Sequence, residues 1–149
     1  MGKRENDSSS LNFFFDPKSV AVIGASSSPG KAGNEILVNL LANGYPGRIF
    51  PINPNEEEIM GFKAYRSVKE IPEPVDLAVF IVPAEKTLPA IKDCIEKKIP
   101  AAVIASGGYA EVDRKGADLQ EEIRRTAKAG GLRIIGPNTS GLPSTPASL

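Results

Sequence analysis

The stretch with the most chemical content is GASSSPGKAG at residues 24–33, which follows a short β-branched run and leads into a helical one. A glycine-bearing turn between a strand and a helix presents backbone N–H groups and the positive helix end to an anion. Three glycines and a lysine at one junction exceed what a tight turn needs. Gly24, Ala25, Ser26, Ser27, Gly30, Lys31 and Gly33 are therefore read as a phosphate-holding loop. Its spacing departs from two familiar versions of such a loop. Counting G-x-G-x-x-G from Gly24 puts Ser26 and Pro29 where glycines should stand, so the dinucleotide fingerprint fails. Against the NTPase pattern, Ala32 stands where a hydroxyl should hold magnesium, which leaves Lys31 as a phosphate contact without metal chemistry.

Other polar loops follow the remaining strand-like runs. Dinucleotide-binding sheets place a carboxylate on the adenosine ribose at the end of the second strand. Here that position holds Asn53, Pro54 and Asn55, and Glu56, Glu57 and Glu58 come only afterwards. An uncharged rim suits a ribose that already carries a phosphate, as in CoA or NADP. NADP asks for an arginine there, and the nearest, Arg48, begins the strand at the far end. Val82 ends the third strand-like run with Pro83 and Ala84 after it, and Ser106, Gly107 and Gly108 follow the fourth, so these glycine- and proline-bearing loops converge on the same rim.

The elements that must carry these loops alternate. Strands are predicted at 19–24, 48–52, 75–82, 101–105 and 132–135, and helices at 35–43, 83–98 and 114–128. The run VDLAVFIV at 75–82 is apolar throughout, as a strand covered on both faces should be. The fold class is thus α/β: a Rossmann-like, doubly wound, mainly parallel five-stranded sheet with helices on both faces. Its ligands bind outside the carboxyl ends of the strands. One domain is expected over 13–142, after a loose, serine-rich arm at 1–12. A tail at 143–149 resembles the start of a linker, as at the edge of a longer protein.

Composition limits the chemistry. Eighteen basic and 18 acidic residues balance, so no global field recruits nucleic acid or an anionic membrane. The 149 residues contain no histidine, which removes imidazole acid–base chemistry, histidine-ligated metals and phosphohistidine. A single cysteine, Cys94, forms no internal disulfide, and with no apolar run of membrane-spanning length a reducing, cytoplasmic setting is expected.

In order and spacing, DPKSVAVIGAS (16–26), PGK (29–31), PINPN (51–55), VPA (82–84), SGGYAE (106–111) and IGPN (135–138) resemble the CoA-binding domain of NDP-forming acyl-CoA synthetases. These are ADP-forming acetyl-CoA synthetase and its relative, the succinyl-CoA synthetase alpha subunit. The resemblance covers residues 14–142. It implies that Gly24, Ala25, Ser26 and Ser27 with Gly30 wrap the CoA phosphates, that Val82 and Pro83 border the adenine, and that Ser106, Gly107 and Gly108 approach the pantetheine. It implies CoA or acyl-CoA as ligand, and phosphohistidine and ATP-grasp domains, or a subunit carrying them, as partners. The chain departs from the family pattern in three ways. The lysine often found near Asn55 is missing, so Lys31 or Lys63 must take its part if either does. Thr139 stands where the family often has cysteine. The phosphorylated histidine belongs to a later domain. Two readings stay open beside this one, an NADP-binding oxidoreductase domain and a stand-alone CoA-sensing module.

Smaller features have ordinary readings. Glu111 and Asp113 are read as helix caps rather than an acid pair, and no catalytic role is assigned. Cys94 is read as a buried small side chain, and Gly44, Gly61 and Gly116 as turn glycines. Phe13, Phe14 and Phe15 are expected to dock on the sheet edge.

Overall fold

A computed structural model describes residues 8–137. Helix α1 (Ser8–Phe15) leads into β1 (Ser19–Ile23), α2 (Ala32–Ala42) and β2 (Arg48–Ile52). A hairpin of β3 (Glu58–Ile59) and β4 (Phe62–Lys63) follows, then β5 (Leu77–Phe80), α3 (Ala84–Lys97), β6 (Ala101–Ile104), α4 (Arg114–Ala129) and β7 (Arg133–Ile135). The main sheet has the order β2-β1-β5-β6-β7, and every pairing in it is parallel. This is the doubly wound α/β fold expected.

Side chains alternate across the strands and build two cores. Val20, Val22, Leu77, Ala101 and Val103 pack with Leu37 and Leu40 of α2 and Phe14 of α1. Ala21, Ile23, Ala78, Phe80, Ala102 and Ile104 pack with Ile91 and Cys94 of α3 and Ile123 and Ala127 of α4. The central strands are buried on both sides, which explains their near-continuous apolar sequence. From β1 the chain moves outward to β2, then returns across β1 to β5. The winding reverses there, so the crevice of this fold opens between the ends of β1 and β5.

Several expectations need correction. The segment read as a loose arm is helical from Ser8 onward. Phe14, 4% exposed, holds α1 against a sheet face, not the edge, with a burial worth about 1.5–3 kcal/mol. Helix α2 starts three residues before its predicted position, at Ala32. The hairpin of β3 and β4 was not predicted. It is fixed beside the end of β2, where the Tyr65 carbonyl accepts the Asn53 N–H at 2.9 Å and the Tyr65 N–H donates to Pro51 at 3.0 Å. Among the described residues no helix is long and apolar enough to cross a membrane.

Candidate functional site

The rim begins where β1 ends. Gly24 has φ +94°, and a Cβ there would lie 2.0 Å from the Ile81 carbonyl oxygen and 3.0 Å from Val82 Cγ1. The exits of β1 and β5 therefore touch at the switch point, an approach that only glycine permits. A Cβ on Gly33 would lie 2.0 Å from the Gly24 carbonyl oxygen, so the first turn of α2 abuts the same spot. Gly30, at φ +86°, has nothing within 4 Å of its Cβ position. Of these three glycines, Gly24 and Gly33 are used by the chain itself, and Gly30 faces open space.

Two asparagines clamp the loop that Gly24 opens. Asn34, buried in α2, donates to the Ser26 carbonyl at 3.0 Å. Asn53 donates to the Ala25 carbonyl at 2.9 Å and accepts the Asn55 N–H at 2.8 Å through Oδ1. The Asn53 to Asn55 turn reverses the chain and brings Glu56 back over the loop. Its carboxylate accepts the Ser27 N–H at 3.3 Å, the Ser27 hydroxyl, and Asn53 Nδ2 at 3.1 Å. The expectation of an uncharged rim at the end of β2 is thus overturned: an acid lies there, delivered by a turn rather than by the strand.

The rim continues past β5. Pro83 stands just before the first residue of α3, and Val82 and Ala84 pack against the core on the α3 side. A Cβ on Gly108 would lie 3.3 Å from Ala84 Cβ, so the loop after β6 meets the loop after β5. Ser106 Oγ is buried and has no hydrogen-bond partner among the described residues. The loops carrying Asn53, Gly24, Val82 and Gly108 are consecutive along one edge.

Tyr109 and Glu111 hold the last of these loops, roles that sequence reasoning missed. The Tyr109 ring is fully buried and its hydroxyl lies 2.7 Å from Thr87 Oγ1 of α3. Glu111 accepts the N–H groups of Gly108, at 2.5 Å, and Tyr109, at 3.1 Å. Led by the Tyr109 N–H, these backbone donors hold its carboxyl below the usual glutamate value. Glu111 therefore closes a turn and does not cap a helix. Asp113 does cap α4, accepting the Gly116 N–H at 2.7 Å. Gly116 is not a turn glycine: it lies in α4, where a Cβ would meet the Tyr109 carbonyl oxygen at 2.1 Å.

Lys31 is the N-cap residue of α2, beside the loop, and no carboxylate pairs with it among the described residues. Lys63, 5.2 Å from the Tyr65 ring centroid, lines a cleft of about 440 Å³ with Pro54, Asn55, Glu56 and Arg66. Cys94 is buried in α3, and burial pushes its thiol up to about 12, so it is no nucleophile at neutral pH. Asn138, Thr139 and the tail at 143–149 lie outside the described residues.

Comparison with known proteins gives this rim its context. The chain is 45% identical over 135 residues to acetate–CoA ligase [ADP-forming] II of Archaeoglobus fulgidus, covering 91% of this chain and 20% of that protein. It is 45% identical over 144 residues to the alpha subunit of acetate–CoA ligase [ADP-forming] I of Pyrococcus furiosus, covering 94% of this chain and 31% of the subunit. The chain thus spans about a fifth to a third of the length of these relatives. Among solved structures it is similar to the dinucleotide-forming acetyl-coenzyme A synthetase 1 of Ca. Korarchaeum cryptofilum in complex with phosphate and ADP. There the TM-score is 0.89 and the identity 42%, over 93% of this chain and 30% of that one. A family model described as CoA binding domain matches residues 18–144, taking in every strand and every loop of the rim, and the chain belongs to that family of CoA-binding domains.

Proposed function

We propose that this chain holds CoA or acyl-CoA along the strand-end rim and serves as the CoA-binding part of an ADP-forming acyl-CoA synthetase. The observation that carries the reading is the continuity of four loops across the β1–β5 switch point. The diphosphate lies on the loop of Gly24, Ala25, Ser26, Ser27, Gly30, Lys31 and Gly33, with the adenosine between Asn53, Pro54, Asn55 and the wall of Val82, Pro83 and Ala84. The pantetheine passes Ser106, Gly107 and Gly108, where the unpartnered Ser106 Oγ offers a polar contact to its amides. An NADP-binding domain fits less well. The family match is to CoA-binding domains, and Arg48, the arginine nearest in sequence to the end of β2, is paired with Glu73 at the opposite end of the strand.

Acid–CoA ligation through an acyl-phosphate needs a phosphoryl carrier, and no histidine is present in these 149 residues. The phosphoryl chemistry is assigned to partner domains or a partner subunit, the phosphohistidine and ATP-grasp units. A stand-alone CoA-binding module is the second reading. Its support is the likeness to a solved conserved hypothetical protein of Pyrococcus furiosus, 36% identical with a TM-score of 0.64, of which this chain covers 92%. Titration calorimetry with CoA, dephospho-CoA, NADP and ATP tests the ligand, and CoA should bind. Binding of NADP without CoA overturns the reading. Incubated with ATP, magnesium, CoA and short organic acids, the chain alone should form no acyl-CoA.

A further inference from the structure

We propose that Glu56 is an internal occupant of the phosphate loop, one that a ligand's diphosphate must displace, so that this residue sets the chain's affinity for phosphate-bearing ligands. The inference rests on reading the rim as the CoA site. Glu56 presents to Ser27 the chemistry a phosphate oxygen would present: an anionic oxygen on a backbone N–H and a hydroxyl at the entry to a helix. All three of its donors are neutral, and among the described residues no cation pairs with it. A second anion on the same Ser27 donors meets like charge at contact distance, so carboxylate and diphosphate exclude each other.

The fold gives the carboxylate somewhere to go. Its link is short and anchored at both ends: Asn53 N–H is held by Tyr65, and the Glu57 carbonyl accepts the Ala64 N–H at 2.9 Å. Only Pro54, Asn55 and Glu56 need to move, and the hairpin can stay in place. Glu56 also borders the cleft lined by Lys63 and Arg66, neither of which pairs with a carboxylate among the described residues. Leaving Ser27, the carboxylate would enter a cleft that holds these two cations together with the acids Glu57 and Glu70. The opposing possibility is that Glu56 accepts ribose hydroxyls, as an acid after the second strand does in dinucleotide-binding sheets. Against it, both carboxylate oxygens are already engaged with the loop.

The two possibilities have opposite signs in one experiment. Glu56→Gln keeps the shape and removes the charge. Each variant is compared with the wild-type chain by calorimetry against CoA, dephospho-CoA and inorganic pyrophosphate, with its melting temperature measured alongside. All three ligands should bind Glu56→Gln about tenfold more tightly, because the loop no longer has a charged competitor. Glu56→Ala should tighten them too and stands in if the glutamine variant melts below the assay temperature. Unchanged or weaker binding overturns the proposal while leaving the CoA reading intact. Tighter pyrophosphate binding with no CoA binding overturns the CoA reading and keeps the displacement. If pyrophosphate and CoA both fail to bind even Glu56→Gln, both fall.

Discussion

Gly24 and Gly30 look equivalent in the sequence, and the structure makes them respond differently to the same change. In Gly24→Ala the new Cβ meets the Ile81 carbonyl oxygen at 2.0 Å, and that gap must open to at least 3.0 Å between two backbone segments at the sheet centre. Two hydrogen bonds stand in the way of that movement, Gly24 N–H to Ile52 at 3.1 Å and Ile81 N–H to Ile23 at 2.8 Å. Holding a side chain at φ +94° costs about 1–2 kcal/mol, and straining the two bonds about 1 kcal/mol each. The expected loss is about 3–4 kcal/mol, or about 10 °C in melting temperature for a domain of this size. Gly30→Ala shares the positive φ but has no neighbour within 4 Å, so only the conformational part applies, about 1–2 kcal/mol. Urea unfolding and thermal melts of both variants measure the difference. If Gly24→Ala is no less stable than Gly30→Ala, the close approach of the β1 and β5 exits is wrong. Loss of CoA binding is informative at Gly30, where a valine would fill space open to ligand, and not at Gly24, where binding and folding fall together.

Two further outcomes follow from the last loop of the rim. Tyr109→Phe removes the partner of the buried Thr87 hydroxyl, which keeps only a bond to the Pro83 carbonyl at 3.4 Å, and should cost about 1–2 kcal/mol in urea unfolding. Glu111 should titrate below the ordinary glutamate value of 4.5, because its ionised form is held by the Tyr109 and Gly108 N–H groups. A depressed carboxyl stabilises the folded state above its unfolded pKa, and that contribution is lost as pH falls through the folded value. The Gly108 and Tyr109 amide resonances should therefore shift below pH 4.5, and Glu111→Gln should abolish the step.

The strands were legible because burial on both faces leaves a plain mark. SVAVI and LAVF could sit nowhere but inside a covered sheet, and the glycine or proline after each run marks its end. Helices α3 and α4 were legible from their polar and apolar faces. What was missed depends on partners distant in sequence. Helix α1 begins SSSLN, with no stripe to announce it, and is held because Phe14 finds a place against Val20, Val22 and Leu77. The hairpin of β3 and β4 turns on Met60 and Gly61, both with positive φ, where Asn-Gly would have given the usual sign. Gly33 and Asn34 look like loop residues and are helical because one lets α2 touch the Gly24 carbonyl and the other reaches the Ser26 carbonyl.

The same distinction separates what could be read of the site. Which loops meet was legible, since the alternation of strands and helices puts every strand exit on one rim. How the loops are satisfied was not, because that depends on which side chain reaches which N–H group. Glu56 and Glu111 do corresponding work at the two ends of the rim: each returns to a glycine- or serine-bearing turn and takes its outward N–H donors. They differ in what their release would expose. Glu111 lies two and three residues from the groups it holds and is part of one turn, so removing it loosens the loop. Glu56 is 29 residues from Ser27 and joins two loops, so removing it frees a donor set without dismantling either turn. Asn53 still holds Ala25, and Asn34 still holds Ser26. A loop clamped by neutral amides and closed by one charged side chain can exchange that charge for a ligand's while keeping its shape, which is what a phosphate site needs in order to be both preformed and reversible.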